Sequence, residues 1–176
     1  MLAKTIFAGF GGQGILSMGV NLAQAAMLEG KFVTYLPAYG AEVRGGTANC
    51  TVAISDEEIA SPVASSPEYV VVMNLPSLVR FENYVQAGGA IFLNSSLIER
   101  DVSRSDIDIM SIPATEIAEK MGSPRSANMV MLGAFIKKSR LVDIEDVLEG
   151  LAAALKNRKK LIETNREVLN AGYRLF

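Results

Sequence analysis

Short, nearly unbroken apolar runs alternate with longer segments of helical period along the first two thirds of the chain. Residues 4–10 (KTIFAGF) carry too few polar side chains for a half-exposed strand, so they predict one buried on both faces. Across residues 15–29, Ile15, Leu16, Met18, Leu22, Ala25, Ala26 and Met27 recur at helical spacing, and Gly30 stops the helix. Residues 32–36 (FVTYL) predict a second strand ended by Pro37, and residues 37–46 (PAYGAEVRGG) an irregular, glycine-rich loop. A β-rich run follows at 47–55 (TANCTVAIS), then a connector at 56–67. Residues 69–73 (YVVVM), 90–93 and 107–112 predict further strands, with a short helix over 76–87. Pro113 opens another helix, reaching about residue 121. Beyond Ser126 only helical segments remain, at 127–138, 144–156 and 159–171. Strands alternating with helices, then helices alone, predict an α/β fold: a mostly parallel sheet flanked by helices, with a helical C-terminus.

Length narrows this to one domain over residues 1–176, with no internal repeat or linker. Hydrophobic residues make up 49% and charged residues 20%, the balance of a folded chain. A net charge of −2 gives no bulk reason to expect nucleic acid or an acidic membrane as partner. The single cysteine, Cys50, excludes an internal disulfide and an iron–sulfur cluster ligated by this chain alone. Histidine is absent, which removes imidazole-based triads and the commonest zinc ligand. There is no apolar run of spanning length and no ordered signal-peptide pattern at the N-terminus, so the expectation is a cytoplasmic protein.

Residues 9–14 (GFGGQG) place glycines at 9, 11 and 14, between the first strand and the first helix. That spacing permits a tight turn and close approach of a ligand to backbone N–H groups at a helix N-terminus. A glycine turn of this kind also arises simply where a strand and helix pack closely. A dinucleotide site should add an acidic residue at the end of the second strand to hold the ribose. Residues 32–37 carry none, nor an arginine for a 2′-phosphate, and no Lys-Ser or Lys-Thr follows the glycines. The loop suits an anion without the marks of a dinucleotide; a stand-alone oxidoreductase binding NAD(P) or flavin is the competing reading.

The second loop carries Glu42 and Arg44, expected beside the first loop at the carboxyl end of the sheet. They could pair to stiffen the loop, or Arg44 could grip a carboxylate, a phosphate or a partner chain. Taken together, GFGGQG, the Pro37-x-x-Gly40-x-Glu42-x-Arg44-Gly-Gly46 pattern and the TANC that follows resemble the gamma subunit of 2-oxoacid:ferredoxin oxidoreductases. EGKFVTY at 29–35, IASP at 59–62 and NMVMLG at 128–133 extend the resemblance through about residue 136. TANC, with AMLEGK at 26–31, looks closest to the 2-oxoglutarate type, beside the pyruvate and ketoisovalerate types.

This resemblance implies a Rossmann-like, non-catalytic module of a heteromultimer. The whole enzyme converts a 2-oxoacid and coenzyme A to acyl-CoA and carbon dioxide, passing two electrons to ferredoxin. Thiamine diphosphate and Mg2+ would sit on alpha and beta subunits, and iron–sulfur clusters on a ferredoxin-like subunit. No catalytic or metal-ligating residue is assigned to this chain. Gly11, Gly12, Gln13, Gly14, Glu42, Arg44 and Gly45 are the candidate contacts for coenzyme A phosphates or for a docked subunit. A purely structural assembly role and a homodimer of the isolated chain stay open.

Four further features have plainer readings. Cys50 is expected as a small buried hydrophobe. Lys156, Arg158, Lys159 and Lys160 are expected to form a solvated surface, compensating a helix C-terminus, with acidic-subunit docking as the alternative. Met18, Met27, Met129 and Met131 are expected to fill the core. Asp106 and Asp108 are too few ligands for a metal.

Overall fold

Each strand expected from an apolar run is present in the computed structural model, which describes residues 1–39, 46–156 and 158–176. These are β1 (Leu2–Phe10), β2 (Phe32–Tyr39), β3 (Thr47–Ser55), β4 (Tyr69–Val72), β5 (Ala90–Asn94) and β6 (Asp108–Ile112). The helices are α1 (Ile15–Leu28), α2 (Leu75–Phe81), α3 (Ala114–Lys120), α4 (Ala127–Ser139), α5 (Ile144–Leu155) and α6 (Lys159–Tyr173). One sheet runs in the order β2-β3-β1-β4-β5-β6. β1, β4, β5 and β6 are mutually parallel; β3 alone is reversed, antiparallel to both β1 and β2.

Two expectations change, each for a local reason. Pro37 does not end β2, which continues to Tyr39 with Pro37 opposite Cys50. A proline lacks only an N–H, and β2 is an edge strand with one neighbour, so the missing donor breaks no ladder bond. The second helix is shorter than 76–87, giving way at Glu82 to a single 3-10 turn, Glu82–Tyr84. Arg104 donates to the carbonyls of Glu82 and Val85, and Arg100 bonds the Glu82 carboxylate at 2.7 Å, holding the chain there out of the α-helical path.

Alternating strand residues face two helical layers. Phe7, Val71 and Phe92 point to α1, α4, α5 and α6, while Ile6, Val70 and Ile91 face α2 and its flanking loops. Phe135 of α4 anchors the larger core by edge-on contacts with Phe7, Tyr69 and Phe92, at centroid distances of 5.6, 5.6 and 5.2 Å. α4 is buried from Asn128 to Ile136 because α6 covers its outer side. That contact is backbone to backbone: a Cβ on Gly133 would lie 2.0 Å from the Leu169 carbonyl oxygen, and one on Gly172 1.9 Å from that of Val130.

Gly172→Ala should therefore force α4 and α6 apart and destabilise the fold by about 1–3 kcal/mol, the usual range for overpacking. Gly150→Ala in α5, whose nearest neighbour would be 3.6 Å away, should instead gain about 0.5–1 kcal/mol of helix propensity. Urea unfolding of the two variants measures the contrast.

Candidate functional site

β1 leads by way of α1 to one side of the sheet and β4 by way of α2 to the other, so the strand order reverses between them. Open α/β sheets bind ligands in the crevice outside the carboxyl ends of such a strand pair. The glycine loop, residues 11–14, sits at that point. Gly12 and Gly14 hold φ of +96° and +72°, a region that L side chains rarely adopt. At Gly14 a Cβ would also lie 2.3 Å from Asn128 Nδ2. Gly14 precedes α1 and its carbonyl accepts from the Met18 N–H at 3.1 Å, starting the helical ladder. No side chain caps this N-terminus and its first turn holds no acidic residue, so its positive end faces outward uncompensated.

Gln13 does something different from its glycine neighbours. Its Oε1 accepts from the Phe10 N–H at 2.7 Å and from Asn74 Nδ2 at 3.0 Å, and its Nε2 donates to the Met73 carbonyl at 3.3 Å. Asn74 in turn caps α2, its Oδ1 accepting from the Ser77 N–H at 3.0 Å. The Gln13 amide thus crosses from the end of β1 to the end of β4. It braces the crevice from inside.

On the other flank, the Gly11 N–H donates to the Gly46 carbonyl at 2.9 Å, extending the β1–β3 ladder one step into the loops. β2 thus ends, and β3 begins, at the end of the sheet that carries the glycine loop. Glu42, Arg44 and Gly45 themselves lie outside the described residues. Asn128 and Asn74 were not singled out as site residues from the sequence. Asn128 Nδ2 donates to the Gly14 carbonyl at 3.3 Å and ties α4 to the loop. An Asn two residues before a proline was a legible helix-start signal at Asn74; its bond to a residue 61 positions away was not.

The plainer features resolve as follows. Cys50 is fully buried under α1, and burial pushes its thiol up to about 12. Its Sγ lies where a Cβ on Gly19 would be, 2.5 Å away, so a glycine there lets α1 settle onto β3. Met18, Met129 and Met131 are core residues, but Met27 is 65% exposed, because it falls on the outer side of α1. Lys159 and Lys160 lie in the first turn of α6 with Arg158 just before it, so only Lys156 meets a helix C-terminus. Asp106 is held by Arg104 and its carboxyl kept below the usual range by that guanidinium. Glu29, Asp143 and Asp146 bring oxygens within 4.8 Å of one another. They belong to a structural knot in which Glu29 accepts the Asp143 N–H at 2.6 Å and the Lys31 ammonium.

Gln13→Ala should loosen the loop by roughly 1–2 kcal/mol, since it strips the Phe10 N–H and Asn74 of partners, and should speed hydrogen exchange at Phe10. For Cys50, on the order of one thiol in ten thousand is ionised at pH 8 with a pKa near 12. Iodoacetamide should leave it unmodified until the protein is unfolded by denaturant.

Residues 4–175 match the family described as pyruvate ferredoxin/flavodoxin oxidoreductase. The chain is 43% identical over 166 residues to ketoisovalerate oxidoreductase subunit VorA of Methanothermobacter thermautotrophicus, covering 94% of this chain and 34% of that one. It is 35% identical over 151 residues to 2-oxoglutarate synthase subunit KorC of Methanothermobacter marburgensis, covering 82% and 81%. The chain thus spans about a third of the ketoisovalerate relative and most of the 2-oxoglutarate one. Among solved structures, 2-oxoglutarate:ferredoxin oxidoreductase from Magnetococcus marinus, with 2-oxoglutarate, coenzyme A and succinyl-CoA bound, superposes with a TM-score of 0.92 at 25% identity. That match covers 99% of this chain and 31% of the other. The gamma subunit of a keto/oxoacid ferredoxin oxidoreductase from Geobacter sulfurreducens shares the fold, with a TM-score of 0.83 at 23% identity over 98% and 96% of the two chains. This chain belongs to the pyruvate ferredoxin/flavodoxin oxidoreductase family and has the fold of its gamma subunits.

Proposed function

We propose that the chain is the gamma component of a multisubunit 2-oxoacid:ferredoxin oxidoreductase, which turns a 2-oxoacid and coenzyme A into acyl-CoA and carbon dioxide and reduces ferredoxin. The observation that carries this reading is the family match over residues 4–175, together with a glycine loop whose crevice is braced by Gln13. Alpha and beta subunits supply thiamine diphosphate and Mg2+, and a ferredoxin-like subunit supplies the iron–sulfur clusters. This chain has one cysteine, buried, and no histidine, and so offers no ligand set for a cluster. Its work is assembly and the handling of coenzyme A, within a cytoplasmic complex; no helix among the described residues is long and apolar enough to cross a membrane.

The backbone N–H groups of Gly12 and Gly14 and the uncapped start of α1 would face a coenzyme A phosphate, with Glu42, Arg44 and Gly45 as further candidate contacts and Arg44 supplying a positive charge. The flank at Gly46, bonded to Gly11, supports that placement. Support for the class of 2-oxoacid is spread. Identity to the ketoisovalerate relative is 43% and to the 2-oxoglutarate relative 35%, so the TANC stretch does not by itself select 2-oxoglutarate.

Co-expression with its neighbouring subunits tests both parts. The assembled enzyme should oxidise one 2-oxoacid in a coenzyme A-dependent way. Arg44→Ala should raise KM for coenzyme A at least tenfold while leaving KM for the 2-oxoacid unchanged. An unchanged coenzyme A KM in an intact complex would remove Arg44 from the ligand; failure to assemble would make it a docking residue.

A further inference from the structure

β2 is an edge strand, with β3 as its one neighbour in the sheet. Exposed edges offer backbone groups to other chains, and proteins blunt them with charged side chains, bulges or proline. Residues 32–39 (FVTYLPAY) contain no charged side chain, and Pro37 stands near one end only. Which of them turn their backbone outward follows from the ladder on the far side of β3. The Gly11 and Asp56 N–H groups donate to the carbonyls of Gly46 and Met1, so every second β3 residue from Gly46 to Asp56 bonds to β1. Thr51, Ala53 and Ser55 then bond the other way, to Leu36, Thr34 and Phe32. Val33, Tyr35 and Pro37 therefore direct their backbone groups to the outside of the sheet.

The two faces of β2 differ. Val33 and Tyr35 pack on the larger core, where the Tyr35 side chain is bonded to Cys50. Phe32, Thr34 and Leu36 point the opposite way, to the side on which α2 packs against β1 and β4. There Phe32 is 47% and Leu36 41% exposed. Between them, the Thr34 hydroxyl has no hydrogen-bond partner among the described residues. An apolar pair thus stands symmetrically about an unsatisfied hydroxyl, on an edge without charge. Symmetry about one residue is what an isologous, two-fold contact needs.

We propose that β2 pairs antiparallel with β2 of a second copy of this chain, about a two-fold axis at Thr34, joining two six-stranded sheets into one. In that register Thr34 faces its own copy, and the two hydroxyls bond each other. Phe32 of each copy lies opposite Leu36 of the other, a favourable cross-strand pair. Val33 and Tyr35 exchange backbone bonds across the axis. The ladder stops where Pro37 would meet Lys31, whose N–H already donates to the Ala26 carbonyl at 3.0 Å, so neither residue has a donor to give there. The Lys31 ammonium is bound to Glu29 and to the Leu141 carbonyl within its own copy. A strand from an unrelated protein would need none of this symmetry, which favours a second copy as the occupant. Because β1 runs parallel to β2, the two glycine loops come to opposite ends of the joined sheet, clear of the contact. The pairing is independent of what the glycine loop binds.

The test is analytical ultracentrifugation of the purified full chain over a range of micromolar concentrations. Wild type should form a dimer that dilution dissociates. Leu36→Lys should stay monomeric throughout with an unchanged Tm, since Leu36 is exposed. Adding Phe32→Glu should restore the dimer, because the two new charges face each other across the axis. Thr34→Cys, treated with diamide, should become a disulfide-linked dimer: facing residues outside the ladder bonds sit ~4.5 Å apart at Cα, within disulfide reach. Leu36→Cys, ~14 Å from its copy in this register, should not cross-link. Cys50 is buried and does not compete. A wild-type chain that stays monomeric, with Thr34→Cys failing to cross-link, would overturn the proposal. So would a dimer that survives Leu36→Lys, or one in which Leu36→Cys cross-links as readily as Thr34→Cys.

Discussion

The amide of Gln13 is the constraint on which the site depends. It joins the turn after β1 to the cap of α2 across the point where the strand order reverses. In a dinucleotide-binding sheet that crevice is left free for the cofactor. Here one side chain spans it, with Asn74 committed on the far side. The start of α1 stays uncapped and without an acidic neighbour, while the route from it across the sheet is bridged.

The rest of the larger helical layer keeps that loop in place. Gly19 lets α1 rest on Cys50, Asn128 fastens α4 to the Gly14 carbonyl, and Gly133 with Gly172 brings α6 down onto α4. Close packing of this kind transmits position with little slack. The same packing leaves α1 with an outer face that α5 and α6 cover incompletely, and Met27, Asn21 and Gln24 lie along it. An elongated, partly polar surface beside the glycine loop is what remains when three helices crowd one end of the sheet.

Much of this was legible in the sequence. Strands buried on both faces read as unbroken apolar runs, and the three closing helices read from their period, because those patterns are set by local geometry. Pro37 misled because its effect depends on β2 being an edge, a fact of sheet order. The second helix misled because Arg104, some twenty residues on, captures the carbonyls of Glu82 and Val85 just past its end. Met27 misled because period alone does not say which neighbour covers a face. The glycine spacing marked the turn into α1, whose positive-φ glycines and uncapped helix start the structure shows. The role of Gln13 was hidden, since nothing near it in the chain points to Asn74. Glu42, Arg44 and Gly45 fall outside the described residues and rest on the family pattern and on where their flanks lie.

The central claim is that this nucleotide-like turn has lost the dinucleotide and kept the phosphate. Calorimetric titration of the purified chain with NADH and with coenzyme A, side by side in one buffer, addresses it most directly. The account requires saturable heat with coenzyme A and none with NADH. Saturable micromolar binding of NADH, with coenzyme A inert, would contradict it.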